Sequence, residues 1–267
     1  MKNNQPLLLP SDPDPVGEER LAGSCPFLLI ADHAGNAVPQ KLGDLGISAG
    51  DLNRHIGIDI GVHGLSQRLS ALLDAPYIFQ RYSRLVIDCN RTPGNPTSIP
   101  AVSDGTQVPA NRGLSAQDVE TRQNEIFWPY QEAIGRQIEA MCKRGSPPVV
   151  IALHSFTPKH GDYPAPRPWH IGVLFNRDER LARPLISLLH SDGDLTVGIN
   201  QPYAVEDTVD YAVPVHCEKG GLIHVELEIR QDLIESPEGQ ASWAERLVRL
   251  LPKALDAIEH APHKKAV

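Results

Sequence analysis

Short apolar runs alternate with longer amphipathic stretches along the whole chain. The first firm run is PFLLIA at 26–31, stopped by the polar Asp32-His33 pair, and it reads as a buried strand running into a loop. From Asp59 onwards Ile60, Leu65, Leu69 and Leu72 or Leu73 recur at helical spacing. Residues 77–80 and 85–88 read as strands, and residues 93–109 as a Pro/Gly/Ser/Thr-rich loop. Ser115, followed three residues later by Asp118, marks the start of a helical stretch reaching about Lys143. The run VVIAL at 149–153 is the most strand-like in the chain, and it ends on His154. Strands at 170–175, 196–199 and 222–229 and helices at 179–190 and 241–259 complete the pattern. Strand and helix in alternation predict an α/β protein whose mostly parallel sheet is covered on both faces. Residues 1–24 read as a loose N-terminal arm, 25–260 as one domain and 261–267 as a C-terminal tail.

Composition narrows the function classes. The chain has 267 residues, 41% hydrophobic, with 25 Lys+Arg against 33 Asp+Glu. That hydrophobic content argues against disorder, and the length permits a sizeable core. A net charge of −8 disfavours nucleic-acid or anionic-membrane binding, each of which needs a basic face. No stretch approaches the roughly 20 apolar residues of a membrane span, and the polar, proline-broken start carries no signal-peptide core. Cys25, Cys89, Cys142 and Cys217 form no CxxC pair, so they read as buried free thiols and suit the cytoplasm. Proline is in excess, 24 residues in 267, about 9% against a usual share of roughly 5%. Many of them follow Arg91 (Pro93, Pro96, Pro100, Pro109) or His154 (Pro158, Pro164, Pro166, Pro168), so these two loops are expected to wall a site.

In an open α/β sheet ligands bind beyond the carboxyl ends of the strands. The polar residues placed there are Asp32 and His33, then Asp88, Asn90 and Arg91, then His154, and on the last strand Glu226, Glu228 and Arg230. Two histidines and a carboxylate are a common catalytic zinc set, and His33 and His154 can supply the imidazoles. For the third ligand Asn36 is a poor donor and Asp59 a better one, although Asp59 reads equally well as a helix N-cap. Glu226 and Glu228 share one face of a regular strand. Burying both unpaired is costly, which favours a chemical role for them, although pairing with Arg230 or His224 would satisfy them too. Arg84, Arg91 and Arg230 can grip carboxylates bidentately and together point to an anionic substrate.

These residues lie in five blocks, ADHAGNAVP (31–39), HIGIDIG (55–61), YSRLVIDCNR (82–91), ALHSF (152–156) and HVELEIRQDLI (224–234). With them the sequence resembles the N-formylglutamate amidohydrolase family from about residue 26 to 250. It departs from better-known members, whose first motif reads more like PHSG. The resemblance implies a three-layer, phosphorylase/hydrolase-like α/β fold akin to zinc exopeptidases. It also implies metal-dependent hydrolysis of a small anionic N-acyl amino acid. The segment Asp88-Cys89-Asn90-Arg91 is similar to the D-x-N-R motif of aspartoacylases and succinylglutamate desuccinylases. There the Asn-Arg pair holds substrate carboxylate, and an arginine placed like Arg84 polarises the scissile carbonyl. Zinc muramoyl-amidases of the same broad fold place an acidic ligand where Asp59 stands.

The resemblance therefore implies zinc on His33, Asp59 and His154. Glu228 is general base and acid, Arg84 stabilises the oxyanion, and Asn90 and Arg91 bind a substrate carboxylate. Arg230 either holds a second carboxylate or orients Glu228, with Glu226 and Asp88 as secondary candidates. The implied reaction releases formate and L-glutamate from N-formyl-L-glutamate, as in histidine degradation. Two other readings keep the fold: a deacylase or amidase for another N-acyl amino acid or small peptide, and a non-catalytic anion-binding protein.

Overall fold

The computed structural model describes residues 6–161 and 165–260. Its strands are β1 (Val16–Glu19), β2 (Phe27–Ala31), β3 (Tyr77–Gln80), β4 (Val102–Ser103), β5 (Thr106–Gln107), β6 (Val149–Phe156), β7 (Ile171–Leu174), β8 (Val197–Ile199) and β9 (His224–Arg230). The helices are α1 (Ala49–Leu52), α2 (Val62–Leu73), α3 (Ala116–Arg122), α4 (Trp128–Lys143), α5 (Ala182–Ser191) and α6 (Pro237–Glu259).

Every residue of β2, β3, β6 and β7 is buried, as continuous apolar runs in a doubly covered sheet should be. Seven strands lie in the order β1-β3-β2-β6-β9-β7-β8, with β4 and β5 forming a separate hairpin. Pairing is parallel for β3-β2, β2-β6, β6-β9 and β7-β8. It is antiparallel for β1-β3 and β9-β7. The period of two then sorts the side chains. Phe27, Leu29, Ala31, Ile151, Leu153, Leu227 and Ile229 pack on one face against α2, α5 and α6. Leu28, Ile30, Val150 and Ala152 pack on the other against α4 and residues 123–127 and 213–218. At about 1.5–3 kcal/mol per buried aliphatic side chain, these two cores hold the three layers together. The expected fold class is borne out: three layers, α/β, mostly parallel.

The Ser115 start is a complete capping box, its Oγ accepting from the Asp118 amide at 3.2 Å while Asp118 Oδ2 accepts from the Ser115 amide at 2.9 Å. The helical stretch it opens is not continuous. Residues 123–127 widen into a π-helical turn before α4, because Pro129 has no N–H to give the ladder.

Several local expectations are corrected. Residues 85–88 form a turn, not a strand. Leu85, Val86 and Ile87 are fully buried, but the Val86 amide bonds back to the Ser83 carbonyl and the Asp88 amide to that of Ser98. A short apolar run plugged into a core has the same periodicity as a strand. Residues 1–24 are not wholly a loose arm, since β1 pairs along β3 at the sheet edge. Residues 1–5 and the expected tail at 261–267 lie outside the described residues. His154 stands inside β6 rather than at its end. Asp59 does not cap α2. That place is taken by Gly61 at φ +81°, where a Cβ would lie 2.0 Å from the Ile234 carbonyl oxygen. All four cysteines are free, with Cys89 and Cys217 buried, Cys25 half-buried and Cys142 exposed.

Candidate active site

The pleat of β9 puts Val225, Leu227 and Ile229 into one core and turns Glu226 and Glu228 to the opposite face. Parallel pairing with β6 aligns Ala152 with Glu226 and His154 with Glu228. His33 lies just beyond β2, the strand on the other side of β6. Its loop passes close against the backbone of residue 81 at Gly35, where a Cβ would sit 2.1 Å from the Arg81 carbonyl oxygen. The Asp59 amide is tied to the His33 carbonyl at 3.0 Å, which brings the segment before α2 over the same edge.

His33, Asp59 and His154 converge there, all buried. Asp59 Oδ2 lies 2.9 Å from His154 Nδ1 and 3.4 Å from His33 Nδ1, and the two imidazole centroids are 5.0 Å apart. Each imidazole turns its other nitrogen to a second carboxylate. His33 Nε2 is 2.7 Å from Asp88 Oδ1, and His154 Nε2 is 3.3 Å from Asp32 Oδ2. Carboxylates behind metal-bound histidines fix tautomer and ring orientation in this way.

The turn at 83–91 carries the cationic side of the site. Arg84 donates to Asp88 Oδ2 from Nε (3.1 Å) and Nη2 (2.8 Å), and from Nη1 to Asp59 Oδ1 (3.4 Å). Asp88 Oδ1 also receives the Asn90 amide at 2.9 Å, so one carboxylate ties His33, Arg84 and the turn together. Asn90 Oδ1 accepts from the Tyr211 and Ala212 amides, and Arg91 Nη1 donates to Asp210 Oδ1 at 2.6 Å.

Charge balance identifies what this arrangement can hold. Burial pushes Glu226 up to about 7. Burial, with the nearby Asp59 and Glu226 carboxylates, pushes Glu228 up to about 8 against the opposing pull of His154. Asp88 is well below the usual carboxylate range, because Arg84 and His33 outweigh its burial. Asp59 is held down too, its burial outweighed by His33 and His154. Burial and Arg84 act to lower His33, but Asp88 and Asp59 carry it above its ordinary value. His154 is raised against its burial by Asp32 and Asp59. The carboxylates around His33 and His154 thus draw protons onto the two imidazoles, and a divalent cation is the charge that can take the place of those protons.

The donor set fits one. His33 Nδ1, on the Asp59 side, and Glu226 Oε2 and Glu228 Oε2 are buried without a hydrogen-bond partner. The 2.9 and 3.4 Å separations bracket the edge of about 3.3 Å expected for tetrahedral bonds near 2.0–2.2 Å. Leaving such buried polar atoms unsatisfied costs about 1–3 kcal/mol each.

The cluster forms one wall of a cavity of about 650 Å³. His33, His154, Glu226, Glu228, Arg84, Asp88, Asn90 and Arg91 all line it. Asn36 does not enter the cluster, since its side-chain amide is spent on Asn53 Oδ1. Arg230 is not brought to the cavity: it pairs with Asp232 at 2.8 Å and reaches the Trp169 carbonyl. It sits at the strand end, where the short turn at 231–233 offers a nearer carboxylate. His160 lines the cavity, whereas His216 is bonded to Gln131. Both proline-rich loops contribute walls, the first through Thr97, Pro100, Val102, Ser103 and Asp104, the second through Thr157 and His160. Pro164 lies outside the described residues.

Sequence reasoning assigned no role to Asp32, His55, Asp104, Tyr203 or Asp210. Asp32 had a signal, its place beside His33 at a strand end. Asp210 and Tyr203, which both line the cavity, come from irregular segments with no local pattern, and only the tertiary fold shows them.

The fold is thus a three-layer α/β protein with a buried His-carboxylate cluster at the carboxyl ends of its central strands, opening on a polar cavity. The N-formylglutamate amidohydrolase profile matches residues 25–235, and the chain belongs to that family. It is thus an amidohydrolase. A gene product of Agrobacterium tumefaciens of known crystal structure is 35% identical, over 95% of this chain and 100% of that one, with a TM-score of 0.90. The N-formylglutamate amidohydrolase of Ralstonia eutropha has the same fold at 20% identity, over 94% of this chain and 100% of that one, with a TM-score of 0.70. No curated protein matches the sequence significantly. Among the described residues no helix is long and apolar enough to cross a membrane.

Proposed function

We propose that this protein is a metal-dependent deformylase that hydrolyses N-formyl-L-glutamate to formate and L-glutamate, with zinc as the metal. The observation that carries the reading is the convergence of His33, Asp59 and His154 beside the buried, unpartnered Glu228 on one polar cavity. The reading takes residues 25–260 as a single hydrolase domain acting in the cytoplasm.

His33, Asp59 and His154 would hold the ion, which when bound supplies Lewis acidity and lowers the pKa of water. Glu228 accepts the proton of the attacking water and returns it to the departing amine nitrogen. A carboxylate whose pKa burial has raised suits both halves of that transfer. Arg84, held in place by Asp88 and Asp59, stabilises negative charge on the carbonyl oxygen. Asn90, its carbonyl oxygen anchored by two backbone amides, keeps its N–H pair for a substrate carboxylate. Arg91, oriented by Asp210, completes that grip.

One observation favours a second reading, a deacylase for a larger N-acyl amino acid. The cavity volume of about 650 Å³ is typical of sites for drug-sized ligands, and a formylated amino acid does not fill it. N-formyl, N-acetyl and N-succinyl derivatives of glutamate and aspartate, offered with defined added metals, separate the readings. Chelator-sensitive formate release from formylglutamate is the expected result. Cleavage of only the larger acyl groups would favour the second reading, and no cleavage of any would overturn both.

A further inference from the structure

A second group of metal-ligating side chains stands apart from the first. His55, just past α1, Asp104, in the β4–β5 turn, and His160, beyond β6, come from three separate segments, and their ligand atoms all lie within 4.8 Å of one another. His55 Nε2 is 3.2 Å from Asp104 Oδ2, and His160 Nδ1 is 3.3 Å from Asp104 Oδ1. The imidazole centroids are 5.7 Å apart.

We propose that His55, Asp104 and His160 form a second divalent-cation site on the wall of the same cavity, independent of His33, Asp59 and His154. The hairpin builds the central ligand. Asp104 and Gly105 both have positive φ, +42° and +75°, as a two-residue turn with Asp-Gly requires. Although it sits at a hairpin tip, the Asp104 side chain is only 5% exposed, because it is turned inward onto the two imidazoles. His55 Nε2 is buried and, although 3.2 Å from Asp104 Oδ2, makes no hydrogen bond with it, so this donor atom is left without a partner. Two imidazoles and a carboxylate suit zinc and its first-row neighbours rather than calcium or magnesium.

Two neighbours tune the site. The Gly161 amide donates to Asp104 Oδ1 at 3.0 Å, and Arg54 Nη2 donates to Asp104 Oδ2 at 3.1 Å. A carboxylate has about four lone-pair positions, so both contacts are compatible with a bound ion. Arg54 nevertheless places a positive charge beside it, so this site binds more weakly than the buried one. His55 and Asp104 line both the main cavity and a shallower one of about 390 Å³ beside it, so an ion here is reachable from outside.

The experiment is zinc uptake by the chelator-treated full chain, followed by equilibrium dialysis with metal analysis, and repeated with cobalt(II) by absorption spectroscopy. The wild type should take up two equivalents in two phases. The double variant His55→Ala/His160→Ala should lose the weaker phase alone, and His33→Ala/His154→Ala should lose the tighter one alone. Asp104→Asn, which keeps the side-chain shape, should match the first double variant, with circular dichroism reporting that each is folded. Saturation of the wild type at one equivalent that only His33→Ala/His154→Ala removes would overturn this proposal and leave the proposed deformylase untouched. Retention of two equivalents by folded Asp104→Asn would overturn it as well.

Discussion

His154 and Glu228 are register partners on adjacent parallel strands, β6 and β9, separated by one interstrand spacing. The ligand candidate and the acid–base candidate are therefore set relative to each other by the most rigid part of the fold rather than by a loop. Glu228→Gln should keep this packing and the metal, yet lower turnover about 10²–10⁴-fold, the scale of general-base loss. Formate release and metal content measured on the same sample check it. An unchanged rate would remove Glu228 from the mechanism.

Asp88 binds His33 and Arg84 at once. Asp88→Asn should weaken metal binding about 10–100-fold, the usual effect of losing a carboxylate behind a metal-bound histidine. Competition with a chromophoric chelator reads the affinity directly. Wild-type affinity in this variant would mean that His33 is oriented by something else.

The metal-free protein should lose stability as pH rises. Glu226 and Glu228 titrate at about 7 and about 8 in the folded chain, above their ordinary value. His33 and His154 are likewise raised. Groups raised on folding bind more protons in the native state, so the stability they contribute is full below the unfolded pKa and falls as pH passes the folded one. A divalent ion replaces those protons, so added zinc should raise Tm more at pH 8 than at pH 6. Differential scanning fluorimetry at the two pH values tests this, and an equal shift at both would contradict the charge balance drawn above.

Arg91 and Arg230 should behave differently, although sequence reasoning placed both at the substrate. Arg91 lines the cavity, whereas Arg230 is paired with Asp232 outside its lining. Arg91→Ala should raise KM about tenfold or more, consistent with loss of a charged hydrogen bond worth about 1.5–3 kcal/mol. Arg230→Ala should leave KM near the wild-type value. Steady-state kinetics on the two variants decide the assignment.

Ser115→Ala removes half of the capping box at the start of α3, on the surface. It should cost about 1 kcal/mol of stability and leave kcat and KM unchanged. Urea unfolding and an activity assay provide the comparison.

Elements whose cause is local are legible in the amino-acid order. The unbroken apolar runs of β2 and β6 and the capping box at Ser115 could be read directly, because period and capping are properties of neighbouring residues. The same holds for Glu226 and Glu228 on one face of β9. The five motif blocks were equally legible, and with them the family. Features controlled by long-range packing emerge only in the folded molecule. Residues 85–88 became a buried turn, because a plug and a strand share one hydrophobic pattern. Asp59 became part of the buried cluster once Gly61 took over the cap of α2. Arg230 went to Asp232, because a guanidinium pairs with the carboxylate that the fold places nearest. Asp32 behind His154, Asp210 behind Arg91 and Asp104 between two histidines are contacts across the fold between distant segments. No local periodicity encodes such contacts, and they appear only when the sheet order brings those segments to one edge.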